Sequence, residues 1–556
     1  MRQLALVTAL LALLTLAAST MGSAALRNPI DQPLDKRSGF FAFGNFNETL
    51  PSGSGGPGRG TIAGVACSTS VASQPADFAG NFLLNCDTEG TVSIRNETTI
   101  AVNPTDPNNV IGGSHRYLLT STGATLNIHV IAVAYVTKNG GSSWTTVQPP
   151  LGSWEFTGDP VLAFDADGRA YYFNIADHEG QGGSFTGPSV IAQRSDDGGS
   201  TWTQPATVAR GVGAIANGPT AVIVFNDKEW GTADANASSP LKNNVYVTWT
   251  RFLFLQQSYI ESPIFFSRST DGGLTWSEGK EISGSSAALC TKQIDSSGGA
   301  TRCDENQFSQ PVVGPDGTIY VTFLNEQNPS STGFRDQVLL VKSTDGGNTW
   351  SAPVAVSPII HDGANDYPLN TDGRQRLSGC AYRVNAAGAL ALGPGQLYYV
   401  YTENNGSATT TQTDIMVVTS TNGGTTWSAP VAVNSSTKDQ VYPWAAVDTG
   451  GKLRVGYVDH DRTGPANQTC VYGYSLSTAT AAGATTFTRQ RLETGLSIAS
   501  NSRWFSKNTR FIGDYTNVAV GPDGSVWADW TDLRHDVTAF GITRKGQDAV
   551  ADKVGP

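Results

Sequence analysis

Four short stretches of the chain hold side chains that can bind an anion or move a proton. They are "SIRNET" with Arg95 and Glu97, "TGDP" with Asp159, "TRFIGDY" with Arg510 and Tyr515, and "TDLRHD" with Arg534 and His535. A guanidinium offers a planar fork of donors that matches a carboxylate. Carboxyl and imidazole groups exchange protons near the working pH of most enzymes. Further residues of these types stand in "GSHRY" (His115), "ADHE" (His178), "WTRF" (Arg251) and "DHDR" (His460 and Arg462). Singly, each is what a solvated loop carries. Together they describe a charged funnel suited to an anionic sugar, provided the fold gathers segments that are hundreds of residues apart.

A repeat supplies that fold. "TKNGGSSW", "SDDGGSTW", "STDGGLTW", "STDGGNTW" and "STNGGTTW" begin at residues 137, 195, 269, 343 and 420, and a decayed copy, "TAAGATTF", begins at 480. Their aromatic ends lie 58, 74, 74, 77 and 60 residues apart, which is too wide for a hairpin repeat and fits a four-stranded unit. Within each copy the carboxylate or amide (Asn139, Asp197, Asp271, Asp345, Asn422) accepts hydrogen bonds from the local backbone. Gly supplies the turn and Trp buries a large ring. A carboxylate committed to its own turn is poorly placed for catalysis, so the spacing predicts a structural role for these five.

These repeats resemble Asp boxes, or BNR repeats, of the sialidase (neuraminidase) superfamily, over most of the chain from about Glu97 onward. The resemblance implies an all-β fold, a single β-propeller of four-stranded antiparallel blades. A second phrase sets the count: an apolar strand, a Gly turn and a second strand, as in "QPVVGPDGTIYVTFLNE" (310–326) and "YTNVAVGPDGSVWADWTD" (515–532). With looser versions it occurs seven times, predicting seven blades, with six as the alternative because familiar sialidases have six. "TAFGITR" (538–544) is expected as third strand of the last blade, and "TVSIR" (91–95) as the strand that closes the ring.

In such propellers, active sites gather where segments lead into the innermost strand and leave the second. Sialidase chemistry employs an arginine cluster for the substrate carboxylate, a Tyr nucleophile polarised by Glu, and an Asp acid/base. Carried onto this chain, the resemblance implies Arg95, Arg510 and Arg534 for carboxylate recognition, with Arg251 and Arg462 as further substrate contacts. Tyr515 would be the nucleophile, Glu97 its polarising base and Asp159 the acid/base. Sialidases usually carry Arg-Ile-Pro before the first blade, whereas Asn96 and Glu97 follow Arg95 here. The activity so implied is an exo-glycosidase of the sialidase type, releasing a terminal acidic sugar. One alternative is a polysaccharide lyase acting on uronate-containing glycans, with His115, His178, His460 or His535 as base or metal ligands. Another is a non-catalytic glycan- or protein-binding propeller.

Composition and termini set the context. The chain has 556 residues, 62 of them Gly, and a formal net charge of −11 without a basic run, which argues against nucleic acid as partner. Residues 1–25 read as a secretory signal peptide, with Arg2, a short apolar run and small residues near Ala24. Residues 26–90 read as a partly Gly/Ser-rich pro or linker region containing the dibasic Lys36-Arg37, and residues 91–556 as the propeller. Six cysteines suggest disulfides, preferred as Cys67 with Cys86, Cys290 with Cys303, and Cys380 with Cys470. Glycosylation acceptors occur at Asn47, Asn96, Asn236, Asn405, Asn434 and Asn467. The expectation is a secreted, extracellular monomer without a membrane span that meets an extracellular glycan or acidic oligosaccharide. No cofactor is required, and a divalent cation, structural or catalytic, is compatible.

Overall fold

The structure is a computed structural model. It describes residues 48–49, 68–70 and 78–85, and residues 94–555 except 123–124, 179–186, 214–221, 256–257, 293–300, 331–332, 358–360, 363–366, 369–374, 381, 408, 465–469, 500–510 and 540–541. All belong to the unit spanning Asp35–Pro556. The signal-peptide segment, Lys36-Arg37, Cys67, Cys86, Asn47, Asn467 and Arg510 therefore lie outside the described residues.

Seven antiparallel sheets of at least four strands follow one another around a ring. Their innermost strands are Thr99–Asn103, Phe156–Phe164, Val222–Ala233, Asn306–Val313, Ala389–Gly393, Gln440–Val447 and Asn517–Val520. Each touches the next, and the seventh returns to the first. This is a seven-bladed β-propeller, as the count of inner hairpins predicts. Second strands are buried on both faces, as in Ala170–Asp177, because each blade is sandwiched between two others. Period-two patterning is weak there for the same reason.

Closure differs from expectation. The third strand of the last blade is Asp548–Val554, and the outermost is Phe82–Leu83, paired to Ala551 and Val550. The segment 538–544 instead contributes to a separate hairpin, Asp536–Ala539 with Ile542–Lys545. Of 91–95 the structure describes Ile94 and Arg95, and Ile94 makes a single bridge, to Gln547. The ring's ends are fastened by Phe82, whose ring lies 5.4 Å from Trp527 and 6.5 Å from the box residue Trp144.

The boxes are turns held by their own side chains. Asp345 Oδ1 accepts from Thr349 N–H (2.9 Å) and Ser343 Oγ–H (2.8 Å), and its Oδ2 from Thr349 Oγ1–H (2.6 Å). Asp197 and Asp271 repeat this with Thr201 and Thr275. The amides Asn139 and Asn422 accept from Ser143 N–H and Thr426 N–H. The second box glycine is left-handed and abuts the preceding blade: a Cβ on Gly347 would come within 2.3 Å of the Phe266 ring. Cations tie neighbouring boxes together. Arg194, Arg268 and Lys342 each donate to the first glycine carbonyl of the next box, at Gly272, Gly346 and Gly423.

Two disulfides join Cys290 with Cys303 and Cys380 with Cys470. Asn96, an expected glycosylation acceptor, is fully buried and its amide donates to Gln547 Oε1 (2.8 Å), so this fold does not present it to a transferase. Among the described residues, no helix is long and apolar enough to cross a membrane.

Candidate active site at the channel mouth

Each inner hairpin turns at a residue whose N–H closes the loop, such as Asp165 onto Arg169, Asp234 onto Asn244, Gly314 onto Thr318, Asp448 onto Lys452 and Gly521 onto Ser525. Six residues earlier stand Asp159, Lys228, Phe308, Tyr442 and Tyr515, and Glu97 holds the same offset from Asn103 in the first blade. Five of these six are left-handed: Glu97, Asp159, Lys228, Phe308 and Tyr442 have φ between 48° and 56°. In four blades this residue sits in a bulge, between Gly158 and Val161, Asp227 and Trp230, Gln307 and Gln310, and Val441 and Trp444. A bulge re-aims one side chain out of the strand's alternation. A non-glycine left-handed residue costs about 1–2 kcal/mol, so five on one ring are strain concentrated at one place.

That place is the axis. Lys228, Phe308, Tyr442 and Tyr515, from four blades, line one narrow pocket with Trp230, Trp444 and Asp514. Trp230 and Trp444 approach to 4.4 Å between centroids, with Tyr515 edge-on to Trp230 at 5.4 Å, forming an aromatic wall.

Glu97 and Asp159 meet around His115. Both carboxyls lie 3.5 Å from His115 Nε2, and the ligand atoms of all three residues fall within 4.8 Å of one another. Asp159 N–H points at Nε2 from 2.7 Å, and Nδ1 faces Asn96 Oδ1 at 3.1 Å. The Asp159 N–H and both carboxyls thus converge on this one ring nitrogen. Burial first, then the charges of Asp159 and Asp514, push the Glu97 carboxyl well above its ordinary range. Burial also pushes Asp159 upward, but His115, the Lys228 ammonium and a hydrogen bond from Glu97 outweigh it and hold Asp159 below its ordinary value. Two adjacent carboxyls are thus pushed in opposite directions, the arrangement that separates an acid from a base.

The same three residues are a conceivable cation site, since a His and two carboxylates suit several divalent metals. The Nε2 lone pair already receives the Asp159 N–H, so a metal there would displace that hydrogen bond.

The other expected residues do not join this centre. Arg534 is bound to Asp532 (2.7 Å), Thr494 (2.9 Å) and Asn81 (3.1 Å), stapling the last blade to the N-terminal segment. Arg462 is buried against Asp459 and Glu493, and Arg251 lies over Phe265 at 5.1 Å. Arg95 is buried beside Glu97 in sequence, with its backbone N–H on Gln547 O and its guanidinium donating to Ile94 O (3.3 Å). Tyr515 donates to the Pro160 carbonyl at 3.3 Å, and burial followed by Glu97 and Asp159 raises its phenol well above the usual range. Neither feature suits a nucleophile poised by Glu97. The four histidines do not converge. His178 stacks on Trp154 at 4.6 Å, and half-buried His535 faces Asp548. His460 packs in the core on Tyr382 and the Cys380 sulfur, its pKa lowered by burial.

Two functional cations escaped the sequence reading. Arg383 is buried, binds both oxygens of Asp514 and lies 4.4 Å over Phe511. Lys228 lies 3.7 Å over the Tyr515 ring and 4.6 Å from Trp230. The signal that finds Lys228 is its offset from the hairpin turn, shared with Glu97 and Asp159.

Fold and repeats define the class, a seven-bladed Asp-box propeller with a charged, strained channel mouth. Residues 130–455, more than half of the chain, match the family described as BNR repeat-like domain, and the chain belongs to that family. No curated protein matches the sequence. Among solved structures, the chain is similar to the NanB sialidase from Streptococcus pneumoniae at 8% identity and a TM-score of 0.42, covering 88% of this chain and 97% of that one. It is also similar to the leech intramolecular trans-sialidase (12%, 0.39, 89% and 97%). A third likeness is to the GH93 alpha-L-arabinofuranosidase of Fusarium graminearum (12%, 0.40, 68% and 93%).

Proposed function

We propose that this protein is a secreted glycoside hydrolase that cleaves a terminal sugar at the channel mouth, an acidic sugar in the reading the sequence favours. The observation that carries the proposal is the Glu97–Asp159 pair, buried and adjacent at His115, with the two carboxyls driven in opposite directions. Protonated Glu97 gives its proton to the glycosidic oxygen as the C–O bond breaks. Ionised Asp159 stabilises positive charge that develops on the sugar ring, and Glu97, now a carboxylate, takes back a proton from the water that adds. The two disulfides fit an oxidising, extracellular setting.

A lyase would need His115 as a free base, and its Nε2 lone pair is occupied by the Asp159 N–H, which favours the carboxyl pair. The test is turnover of fluorogenic glycosides, acidic and neutral. Glu97→Gln and Asp159→Asn should each lower kcat by about 10²–10⁴-fold. Unchanged turnover in either variant, or growth of unsaturated-uronate absorbance in place of hydrolysis, sinks the proposal. Tyr515→Phe separates the finer mechanism: loss of sialoside hydrolysis would return the nucleophile to Tyr515, and retention leaves the carboxyl pair.

A further inference from the structure

Lys228 is a buried cation whose contacts are aromatic faces, Tyr515 at 3.7 Å and Trp230 at 4.6 Å, with no hydrogen-bond acceptor on it. It is 5% exposed, and its Nζ has no hydrogen-bond partner among the described residues. Its chain neighbours Asp227 and Glu229 are buried too, and all four of their carboxyl oxygens lack partners. Burial first and the Asp159 charge second raise both well above the ordinary range, so they do not serve as its counter-ions. Desolvating a charged group without a partner is costly, and such a group persists where something outside the chain completes it.

The pocket indicates what completes it. Lys228 lines the cavity with Trp230, Phe308, Tyr442, Trp444 and Tyr515, whose rings lower the local dielectric and magnify any charge interaction. Two other cations of the mouth and its surroundings are committed, Arg383 to Asp514 and Arg534 to Asp532. Lys228 belongs to the same ring of left-handed residues as Glu97 and Asp159, and its charge lowers the pKa of both. A group docked on Nζ therefore lies in the field of the acid/base pair.

We infer that Lys228 is the specificity-determining residue of this site, an ammonium that receives a single anionic group, carboxylate or sulfate, of the bound saccharide. This rests on the channel mouth being the sugar site. It assigns anion recognition to one point charge on the third blade's innermost strand, in place of a fork of arginines. A compact ammonium takes one oxygen without fixing a plane, so it accepts planar carboxylate and tetrahedral sulfate alike.

The test measures equilibrium binding to the full chain carrying Glu97→Gln, so that binding is read apart from turnover. The probes are methyl glucuronide, 3′-sialyllactose, glucose 6-sulfate and, as neutral control, methyl glucoside. At least one anionic probe should bind more tightly than the control. Adding Lys228→Met should weaken that probe by on the order of 30-fold or more and leave the control unchanged, while Lys228→Arg restores part of the preference. A melting temperature of Lys228→Met within a few degrees of its parent's separates lost recognition from lost folding. Equal affinity of Lys228→Met for the anionic probe, no preference over the control, or no binding of any probe overturns the inference. Lys228-dependent binding in a protein that hydrolyses no glycoside leaves it standing and rejects the hydrolase reading. Glu97-dependent hydrolysis with binding indifferent to Lys228→Met does the reverse.

Discussion

Asp345 on the rim and Glu97 at the axis are both acidic residues in bent backbone, and their fates are opposite. Asp345 is solvent-facing, and bonds from Thr349 and Ser343 hold its carboxyl well below the usual range. Glu97 is buried, its Oε2 has no hydrogen-bond partner, and its carboxyl is driven upward. The rim motif closes within one turn and recurs from blade to blade. The mouth uses one backbone position six times and fills it with a different residue type almost every time: Glu, Asp, Lys, Phe and Tyr. Repetition marks what every blade needs, and variation at an equivalent, strained position marks what only one site needs.

The largest effect expected from breaking this contrast is at the rim. Trp144 is the aromatic of the first box, 1% exposed, and packs at 5.8 Å on Trp527 and at 6.5 Å on the closing residue Phe82. Trp144→Ala should cost about 3–5 kcal/mol of stability. Because the loss falls at the seam of the ring, the melting temperature should fall by several degrees while activity measured well below the transition persists. Loss of activity without loss of stability would mean that rim and mouth are not the separate systems drawn here.

The difference between the two regions also explains what could be read beforehand. Box contacts run between residues two and four apart, so Asn139, Asp197, Asp271, Asp345 and Asn422 show their role in the local string. Blade number was legible for a related reason, since each inner hairpin carries its own turn residues. Closure was not, because Phe82–Leu83 is a two-residue strand whose pairing partner lies more than 460 residues away. The outermost position expected for "TVSIR" is filled by Phe82–Leu83, a pair too short to carry a strand pattern of its own. At the mouth, Glu97 and Asp159 were found because they lead into innermost strands. Lys228 stands inside "NDKEW", the tail of an inner-hairpin phrase that carries no motif to single it out. Only a bulge turns that run inward, and bulges leave no composition signal of their own.

A middle-sized effect should separate the regions by pH. Asp227 is fully buried, and its carboxyl is raised, first by burial and then by Asp159. A carboxyl whose pKa is higher folded than unfolded contributes stability that is complete below its unfolded value, near 4, and lost as pH rises through the folded value. Asp227→Asn removes the ionisation, so its melting temperature should gain on the wild type as pH rises from about 4 to 8. A constant offset across that range would show that folding does not raise the Asp227 carboxyl.

The smallest effect has the opposite sign and comes from the rim. Hydrogen bonds from the Thr275 hydroxyl and N–H bring the Asp271 carboxyl down to about 2, although it is almost wholly in solvent. A depressed carboxyl contributes stability that is present above its unfolded value, near 4, and lost as pH falls through the folded one. Asp271→Asn keeps the acceptor for Thr275 N–H, as Asn139 and Asn422 do in their own boxes, and loses only the charge. The variant should therefore melt slightly below the wild type at neutral pH, and the two curves should converge as pH falls from about 4 toward 2. Solvent screening keeps the gap small, and added salt should narrow it further. A gap that widens in acid would contradict the assignment of the box carboxylate as a hydrogen-bond acceptor fastened to its own turn. With Asp227→Asn gaining on the wild type above pH 4 and Asp271→Asn converging with it below, one residue type would report both regions of the molecule through opposite slopes.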